Sequence, residues 1–156
     1  MATRWVRSTA GALMAALALT ATGCSDDTNS PSDLASKAAS AASRAGEAVS
    51  DASAAANRQL DKIKGGVDAK GDVKLSDVHL DGDGHATAKV TVSNSTGDKR
   101  SYAVEVNFND KNGDLVDVVV LTVNSVPAGG TKTATAHGRR SLSGQITADV
   151  GAALRY

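Results

Sequence analysis

The sequence predicts a mainly β protein, a small antiparallel β-sandwich that follows a long alanine-rich helix and a cleaved signal peptide. Three observations indicate this. From Val67 onward, β-branched and polar residues alternate with a period of two, as in half-buried strands. Before Val67 lies a long alanine-rich stretch with no internal proline, which is typical of a helix. At the N-terminus, a short apolar run follows two arginines, as in an export signal. The predicted units are residues 1–23 for the signal peptide, 24–30 for a polar tether, 31–66 for a helical spacer and 67–156 for the sandwich.

The composition excludes one class of partner. The chain has 156 residues, no formal net charge and only four aromatic residues (one Trp, two Tyr and one Phe), so the aromatic content suits a folded unit smaller than the whole chain. A balanced charge leaves no broad basic face, and no aromatic residues alternate with basic ones as a base-stacking surface requires. We therefore expect no binding to nucleic acid.

The first residues have the parts of an export signal that ends at the single cysteine. Arg4 and Arg7 form a positive segment, and the apolar run from Ala10 to Leu19 is much shorter than the ~20 residues that span a bilayer. One interpretation is an ordinary signal peptide cut at Ala21, which would leave Cys24 as an unpaired thiol. An odd cysteine is awkward in an oxidising compartment.

The second interpretation comes from a resemblance. The sequence Ala-Thr-Gly-Cys at residues 21–24 resembles the lipobox of bacterial lipoproteins, with Ala21 where the family prefers leucine. The resemblance implies that Cys24 is diacylated on sulfur and becomes the new N-terminus. Stable anchoring takes two lipid signals, and a diacylglyceryl group supplies two chains at once. We therefore expect a protein anchored by lipid to the extracytoplasmic face of a bacterial cell membrane.

A polar tether and a long helix are expected next. Ser30 can cap the helix, Pro31 suits its first position and Asp33 places a carboxylate in its first turn. We predict a helix from Pro31 to Lys64 that ends at the glycine pair 65–66, about 50 Å long at ~1.5 Å per residue.

The helix carries an apolar seam with the spacing of a coiled coil. Its members are Ala35, Ala38, Ala42, Ala45, Val49, Ala52 and Ala56, followed by Leu60 and Ile63. Because alanine buries little area, we interpret the helix as a solvated spacer that holds the sandwich away from the membrane. The alternatives are weak self-association through this seam or contact of one face with the membrane.

Six strands are expected after the helix, joined by short turns. They begin at Val73, His85, Arg100, Leu115, Thr131 and Gln145. Alternation places Ala86, Ala88, Val90 and Val92 on one face of the second strand, and Tyr102, Val104, Val106 and Phe108 on one face of the third. In the last strand, Ile146, Ala148, Val150, Ala152 and Leu154 share a face. Residues 115–123 are more continuously apolar, which predicts a central strand. Asn112-Gly113 suits a hairpin turn.

This region resembles the immunoglobulin-like (Ig-like) domains, such as the FxLYD type, that occur behind lipoboxes. The resemblance covers about Lys89 to Gly138. It rests on Val92-Ser93-Asn94, on Phe108-Asn109-Asp110 with the turn glycine Gly113, and on Pro127-Ala128-Gly129. It implies an Ig-like fold exposed in the cell envelope, and it brings no catalytic residues.

Metal binding is not expected. Of the three histidines, His79, His85 and His137, the first two point to opposite faces if Leu80 lies opposite His85 and His79 opposite Ala86. A zinc site needs three or four convergent ligands, so this arrangement argues against one. The acidic turns at residues 81–84 and 110–114 offer oxygen ligands. The second turn lacks the EF-hand pattern, since glycine falls at the fourth position and a leucine at the twelfth. Ordinary hairpin turns are expected, with weak calcium binding as the alternative.

The most chemically varied segment is His137 to Gly144, which we interpret as a loop. Its Arg139 and Arg140 could bind a carboxylate or phosphate together with His137, although such a pair is more often solvated. No nucleophile–base motif occurs, so we expect neither an enzyme nor a cofactor. The function predicted is non-enzymatic binding of an envelope protein or surface ligand. The alternative is a structural spacer, or a helix-mediated oligomer that displays the sandwich at the membrane.

Overall fold

The structure, a computed structural model, describes residues 31–156, with side chains described from Ala35 onward. The predicted signal peptide, tether and lipidation site at Cys24, and the helix cap at Ser30, lie outside the described residues. The elements are α1 (Pro31–Asp61), β1 (Val67–Asp68), a 3-10 turn (Lys70–Asp72), β2 (Val73–Leu80), β3 (His85–Ser93), β4 (Arg100–Asn109), β5 (Leu115–Val126), β6 (Thr131–Ser141) and β7 (Thr147–Arg155).

The strands form two antiparallel sheets, so the mainly β prediction is confirmed at that level. Sheet A has the order β1-β7-β4-β5, and sheet B has the order β2-β3-β6. Strand β5 contacts β6 along one side of the molecule, and β2 contacts β7 along the other. The pairs β3–β6 and β4–β7 join strands that are distant in sequence, so the chain crosses repeatedly between sheets.

The core lies between the sheets and consists mainly of valine. The predicted alternation in β3 and β4 is confirmed, since all eight core-facing side chains are buried: Ala86, Ala88, Val90, Val92, Tyr102, Val104, Val106 and Phe108. Tyr102 and Phe108 are the two largest fully buried side chains among the described residues. Because this small core contains so few large residues, each of these aromatics carries much of the apolar burial.

A buried asparagine fixes one end of the sandwich. The amide nitrogen of Asn94 donates hydrogen bonds to the backbone oxygens of Asp98 (2.8 Å), Val126 (3.0 Å) and Pro127 (3.1 Å). Its side-chain oxygen accepts one from the backbone nitrogen of Thr96 at 3.0 Å. One side chain thus joins the β3–β4 connection to the β5–β6 connection, and the Asn-containing motif of the sequence has a structural role.

The prediction for β7 is wrong beyond Val150. Val106 pairs with Val150 but Val104 pairs with Ala153, so three residues of β7 occupy the length of two in β4. This bulge reverses the alternation, and Ala153 is buried in the core with 2% exposure. The sequence pattern predicts Leu154 on the core face, but Leu154 lies on the other side of the sheet near Ile63 and Gly66.

The prediction of a central strand at residues 115–123 is also wrong. Strand β5 lies at the edge of sheet A and pairs only with β4 in that sheet. Its apolar run is continuous because both faces are covered: Val119 and Val123 belong to the core, and α1 lies against the strand. Val118 is buried outside the core cluster, on the helix side. A helix that covers an edge strand also protects it from pairing with other chains.

Helix α1 ends at Asp61, three residues before the predicted end. Side chains 35–48 are exposed, as a solvated spacer requires, but the next part of the predicted seam packs on the sandwich. Ala56 and Leu60 of the helix are both buried, although neither belongs to the hydrophobic cluster between the two sheets. The seam is therefore used within the chain over the second half of the helix.

Candidate functional site

The segment predicted as a ligand-binding loop is mostly a strand. Strand β6 continues through Ser141, so His137, Arg139 and Arg140 lie within sheet B, and the loop prediction is wrong. His137 and Arg139 are exposed, whereas Arg140 is half-buried. The polar composition of the segment suggested a loop, but its backbone is held by a carboxylate from the opposite sheet.

That carboxylate belongs to Asp117 of β5, which is 1% exposed. Its Oδ2 accepts hydrogen bonds from the backbone nitrogens of Arg139 (2.7 Å) and Arg140 (3.2 Å), and its Oδ1 accepts one from Val118 (2.9 Å). A Cβ at Gly138 would lie 2.8 Å from Oδ2, so the close approach of the two strands requires glycine there. Three backbone donors compensate the burial of this charge.

The side chain of Arg140 connects three elements. Its Nη1 donates hydrogen bonds to the backbone oxygens of Val116 in β5 (3.0 Å) and Ala45 in α1 (3.2 Å). Among the described residues, no carboxylate forms an ion pair with this guanidinium. Arg140 thus holds the helix against the sandwich through backbone oxygens, and its guanidinium forms no ion pair with a described carboxylate.

The three histidines are arranged differently from the prediction. Leu80 pairs with Ala86 and His79 pairs with Thr87, one position away from the expected register. The cause is the β2–β3 turn, which has Gly84 at φ +82°. Because Ala86 points into the core, His85 and Thr87 point outward, on the same face as His79.

An open groove of about 320 Å³ lies on this outer face of sheet B. We call it the sheet-B groove, and its lining is polar or small: Asp77, His79, Thr87, Ala88, Lys89, Thr133, Ala134 and Thr135. Lys89 pairs across the strands with Thr135, and Thr87 pairs with His137 just beyond the groove. Hydroxyl groups, one cation, one carboxylate and one imidazole therefore share a single surface.

A β-bulge shapes one wall of the groove. The pairing of β2 with β3 shifts between Ser76 and His79, and Asp77 within the shift has φ +52°, an unusual conformation for a residue other than glycine. The bulge turns the Asp77 carboxylate toward Lys89, with Oδ2 3.6 Å from Nζ in an exposed ion pair. Such strain is often found at binding sites.

His79 is oriented by two hydrogen bonds. Its Nδ1 lies 2.8 Å from the backbone oxygen of Asp77, and its Nε2 lies 3.1 Å from Oγ1 of Thr87. Because a carbonyl can only accept, Nδ1 carries the hydrogen, and in the neutral ring Nε2 accepts from Thr87. Thr87 is buried, so the pair forms a fixed polar floor for the groove.

The β2–β3 turn holds the described residues best placed for a cation. Ligand atoms of Asp81, Asp83 and His85 all lie within 4.8 Å of one another. However, Oδ1 of Asp81 already accepts hydrogen bonds from the backbone nitrogens of Asp83 (3.0 Å) and His85 (2.8 Å). The bond from His85 is the main reason that the pKa of Asp81 lies below its usual value. The carboxylate thus has a role in the turn.

The second acidic turn is an ordinary hairpin, as predicted. Oδ1 of Asp110 accepts hydrogen bonds from the backbone nitrogens of Asn112 (2.8 Å) and Asp114 (3.0 Å), and Gly113 has φ +87°. The bond from Asn112 is the largest cause that lowers the pKa of Asp110. These bonds close the connection between β4 and β5.

Comparison with known proteins gives no relative: the chain matches no protein-family model, no curated protein and no solved structure. Within residues 31–156, no helix combines the length and the apolar character needed to cross a membrane. Inference about function therefore rests on the residues and their geometry.

Proposed function

We propose that this protein is a bacterial lipoprotein whose sandwich binds a polar partner in the cell envelope without catalysing a reaction. The observation that carries the binding role is the sheet-B groove, where a strained bulge and an oriented histidine set polar groups around an open concavity. Concave surfaces with a few fixed polar groups are the usual form of binding sites.

The anchor is proposed from the sequence pattern at Cys24. A positive segment, a short apolar run and small residues before the cysteine support lipidation and display on the extracytoplasmic side. Helix α1 fits that arrangement, because its side chains 35–44 are exposed before the helix meets the sandwich at Ala45. This stretch sets the binding domain apart from the membrane.

The chemistry of the groove indicates the kind of partner. Lys89 and the threonine hydroxyls can donate hydrogen bonds, and Asp77 and the hydroxyls can accept them. The described residues that line the groove include no Phe, Tyr or Trp, so no large aromatic ring is available for stacking. We expect an envelope protein or surface ligand that is rich in both donors and acceptors.

Binding is favoured over catalysis by the burial of Thr87. A hydroxyl next to an imidazole resembles a nucleophile and its base, but Thr87 is only 5% exposed. Its Oγ1 also lies 3.3 Å from the backbone oxygen of His79, which competes for the hydroxyl hydrogen. A nucleophile must reach its substrate, whereas a buried hydroxyl is suited to holding the imidazole in place.

An Ig-like classification is part of the same proposal. The crossings between sheets that pair β3 with β6 and β4 with β7 agree with Greek-key sandwiches of this type. Such domains often bind their partners through a sheet face or through loops that a rigid scaffold holds in place.

Self-association through α1 is a second candidate, favoured by the exposure of side chains 35–48 along the alanine seam. Sedimentation of the full chain with Cys24→Ser tests it, with Ala38→Glu and Ala42→Glu introduced together to disrupt the seam. Dimers that the double variant abolishes would support this candidate, and a monomer at all concentrations would exclude it.

Photo-crosslinking in intact cells tests the groove. Thr133→Arg places a long side chain in the groove, and Thr122→Arg makes the same change at an exposed position of sheet A. We expect the wild type and Thr122→Arg to form the same crosslinked species, and Thr133→Arg to lose it. Equal crosslinking by all three chains would exclude the groove as the binding surface.

A further inference from the structure

A second concavity lies where α1 meets the junction of β5 and β6. We call it the helix–sheet cleft; it is open and has a volume of about 270 Å³. Its walls are formed mainly by Val49 of the helix and by Leu115, Val116 and Leu142 of the sandwich, all half-buried. The cleft therefore exposes aliphatic surface in a concave shape.

The cleft exists because the helix has small residues there. A Cβ at Gly46 would meet nothing within 4 Å, so the helix contributes almost no side-chain volume at this point. Farther along, Ala52, Ala55 and Ala56 approach β5 so closely that only about 20 Å³ remains between them. The interface is thus closed toward the end of the helix and open around Gly46.

A positive charge lies at the same place. Arg140 lines the cleft, and its guanidinium uses Nη1 for the backbone oxygens of Ala45 and Val116. The nearby carboxylate of Asp117 is engaged by backbone nitrogens and forms no ion pair with this guanidinium. An anion at the cleft would meet a cation that no described carboxylate pairs with.

We propose that the helix–sheet cleft binds a single-chain aliphatic carboxylate of medium length, with its chain against the aliphatic wall and its carboxylate at Arg140. Burial of the chain supplies the non-directional part of the affinity, and the charge-assisted hydrogen bond supplies the orientation. The volume is just below the ~300 Å³ at which pockets for larger ligands begin, which suits one short chain rather than a two-chain lipid. This site is separate from the sheet-B groove.

Calorimetric titration with decanoate, below the concentration at which it forms micelles, tests the proposal. The full chain with Cys24→Ser is used, so that no acyl group of its own competes. We expect saturable binding of one decanoate per chain. Gly46→Leu fills the cleft with a residue that favours helix more than glycine does, and we expect it to weaken binding about tenfold or more. Ala38→Leu, at an exposed position two turns earlier, is the matched control and retains binding.

Decanol tests the role of the charge without altering Arg140. The alcohol has the same chain but no anionic group, and we expect it to bind about tenfold more weakly than decanoate. The absence of saturable decanoate binding, undiminished binding by Gly46→Leu, or equal binding of decanol and decanoate would each overturn the proposal. Thr133→Arg in the sheet-B groove leaves decanoate binding unchanged, so the two sites are tested separately.

Discussion

The side-chain oxygen Oδ2 of Asp117 lies 2.7 Å from the backbone nitrogen of Arg139, which joins an edge strand of sheet A to an edge strand of sheet B. Such edges normally need protection from pairing with other chains. Here one buried carboxylate and one helix provide it, because α1 lies along β5 and Arg140 bonds to the helix backbone. The junction of β5, β6 and α1 is thus a structural centre of the molecule.

Asp117→Asn tests this junction. An amide can direct only one oxygen toward the donors that the carboxylate now satisfies, so at least one buried backbone N–H loses its partner. We expect the free energy of unfolding to fall by about 1–3 kcal/mol, measured by urea denaturation of the full chain with Cys24→Ser. Asp98→Asn, at an exposed ion pair with Arg100, is the control and should cost less than about 1 kcal/mol. Equal losses in both variants would contradict the role of Asp117.

Asn94→Ala tests the connection between the two turns at the other end. The change removes an amide that donates to three backbone oxygens, of which the bond to Val126 is buried and the other two are partly buried. We expect a loss of about 2–3 kcal/mol in the free energy of unfolding, again from urea denaturation. Asn124→Ala, at an exposed position of β5, is the matched control. A loss no larger than that of the control would show that the network contributes little.

The packing of the helix on the sandwich is tested by a charge at its interface. Ala56 packs against β5 with only 3% of its surface exposed. Ala56→Glu places a carboxylate there, so the helix must move away or bury the charge. We expect trypsin to cleave after Arg58 much faster in this variant than in the wild type. The measurement is the rate at which the cleavage fragment appears. Ala42→Glu, on the exposed half of the helix, should leave the cleavage rate near that of the wild type. Equal protection in both variants would mean that the helix is held elsewhere.

The carboxyl group of Glu105 on β4 predicts how the free energy of unfolding depends on pH. Partial burial, with a smaller contribution from the charge of Asp149, raises the pKa of this carboxyl, and Lys70 opposes the shift. Because the folded state holds the proton more tightly, the stability from this group is present below the usual carboxyl pKa. It is lost as the pH rises through the raised value.

Glu105→Gln removes this dependence because the amide stays neutral. We expect its free energy of unfolding to rise relative to the wild type as the pH increases from 4 through the raised pKa, and then to level off. Glu47→Gln, at an exposed position of α1, is the control and should show no such growing difference. A constant difference between Glu105→Gln and the wild type across this range would contradict the raised pKa.

Local pattern predicted the regular elements well. The alternation in β3 and β4 matches their buried faces, and the glycine turns lie where the strands reverse. These features follow from neighbours in sequence, which period and turn chemistry describe directly. The alanine seam also marked the face of α1 that packs, although it did not indicate that its partner is β5.

The errors have a common cause in contacts between distant residues. The apolar run of β5 suggested a central strand, because a covering helix produces the same pattern as a second neighbouring strand. The bulge in β7 near Gly151 reverses the core face without a mark that alternation could detect. The segment at Arg139 looked like a loop because its stabilising carboxylate, Asp117, lies 22 residues earlier in the chain.

The sheet-B groove was missed for a related reason. Asp77, Lys89 and Thr133 lie on three strands, and only the register brings them to one surface. The one available signal is His79, but the sequence pattern predicts a β2–β3 turn shorter than the real one and so places the partner of His79 one residue away from Thr87. A register error of one residue moves every side chain to the other face.

The central claim, that the chain is anchored by lipid at Cys24 and displayed in the envelope, is tested most directly by intact-mass measurement of the membrane fraction. The account predicts that the wild-type chain begins at Cys24 and carries the added mass of a diacylglyceryl group. It also predicts that Cys24→Ala lacks this mass and is released from the membrane. A mature wild-type chain without the added mass, beginning before or after Cys24, would contradict it.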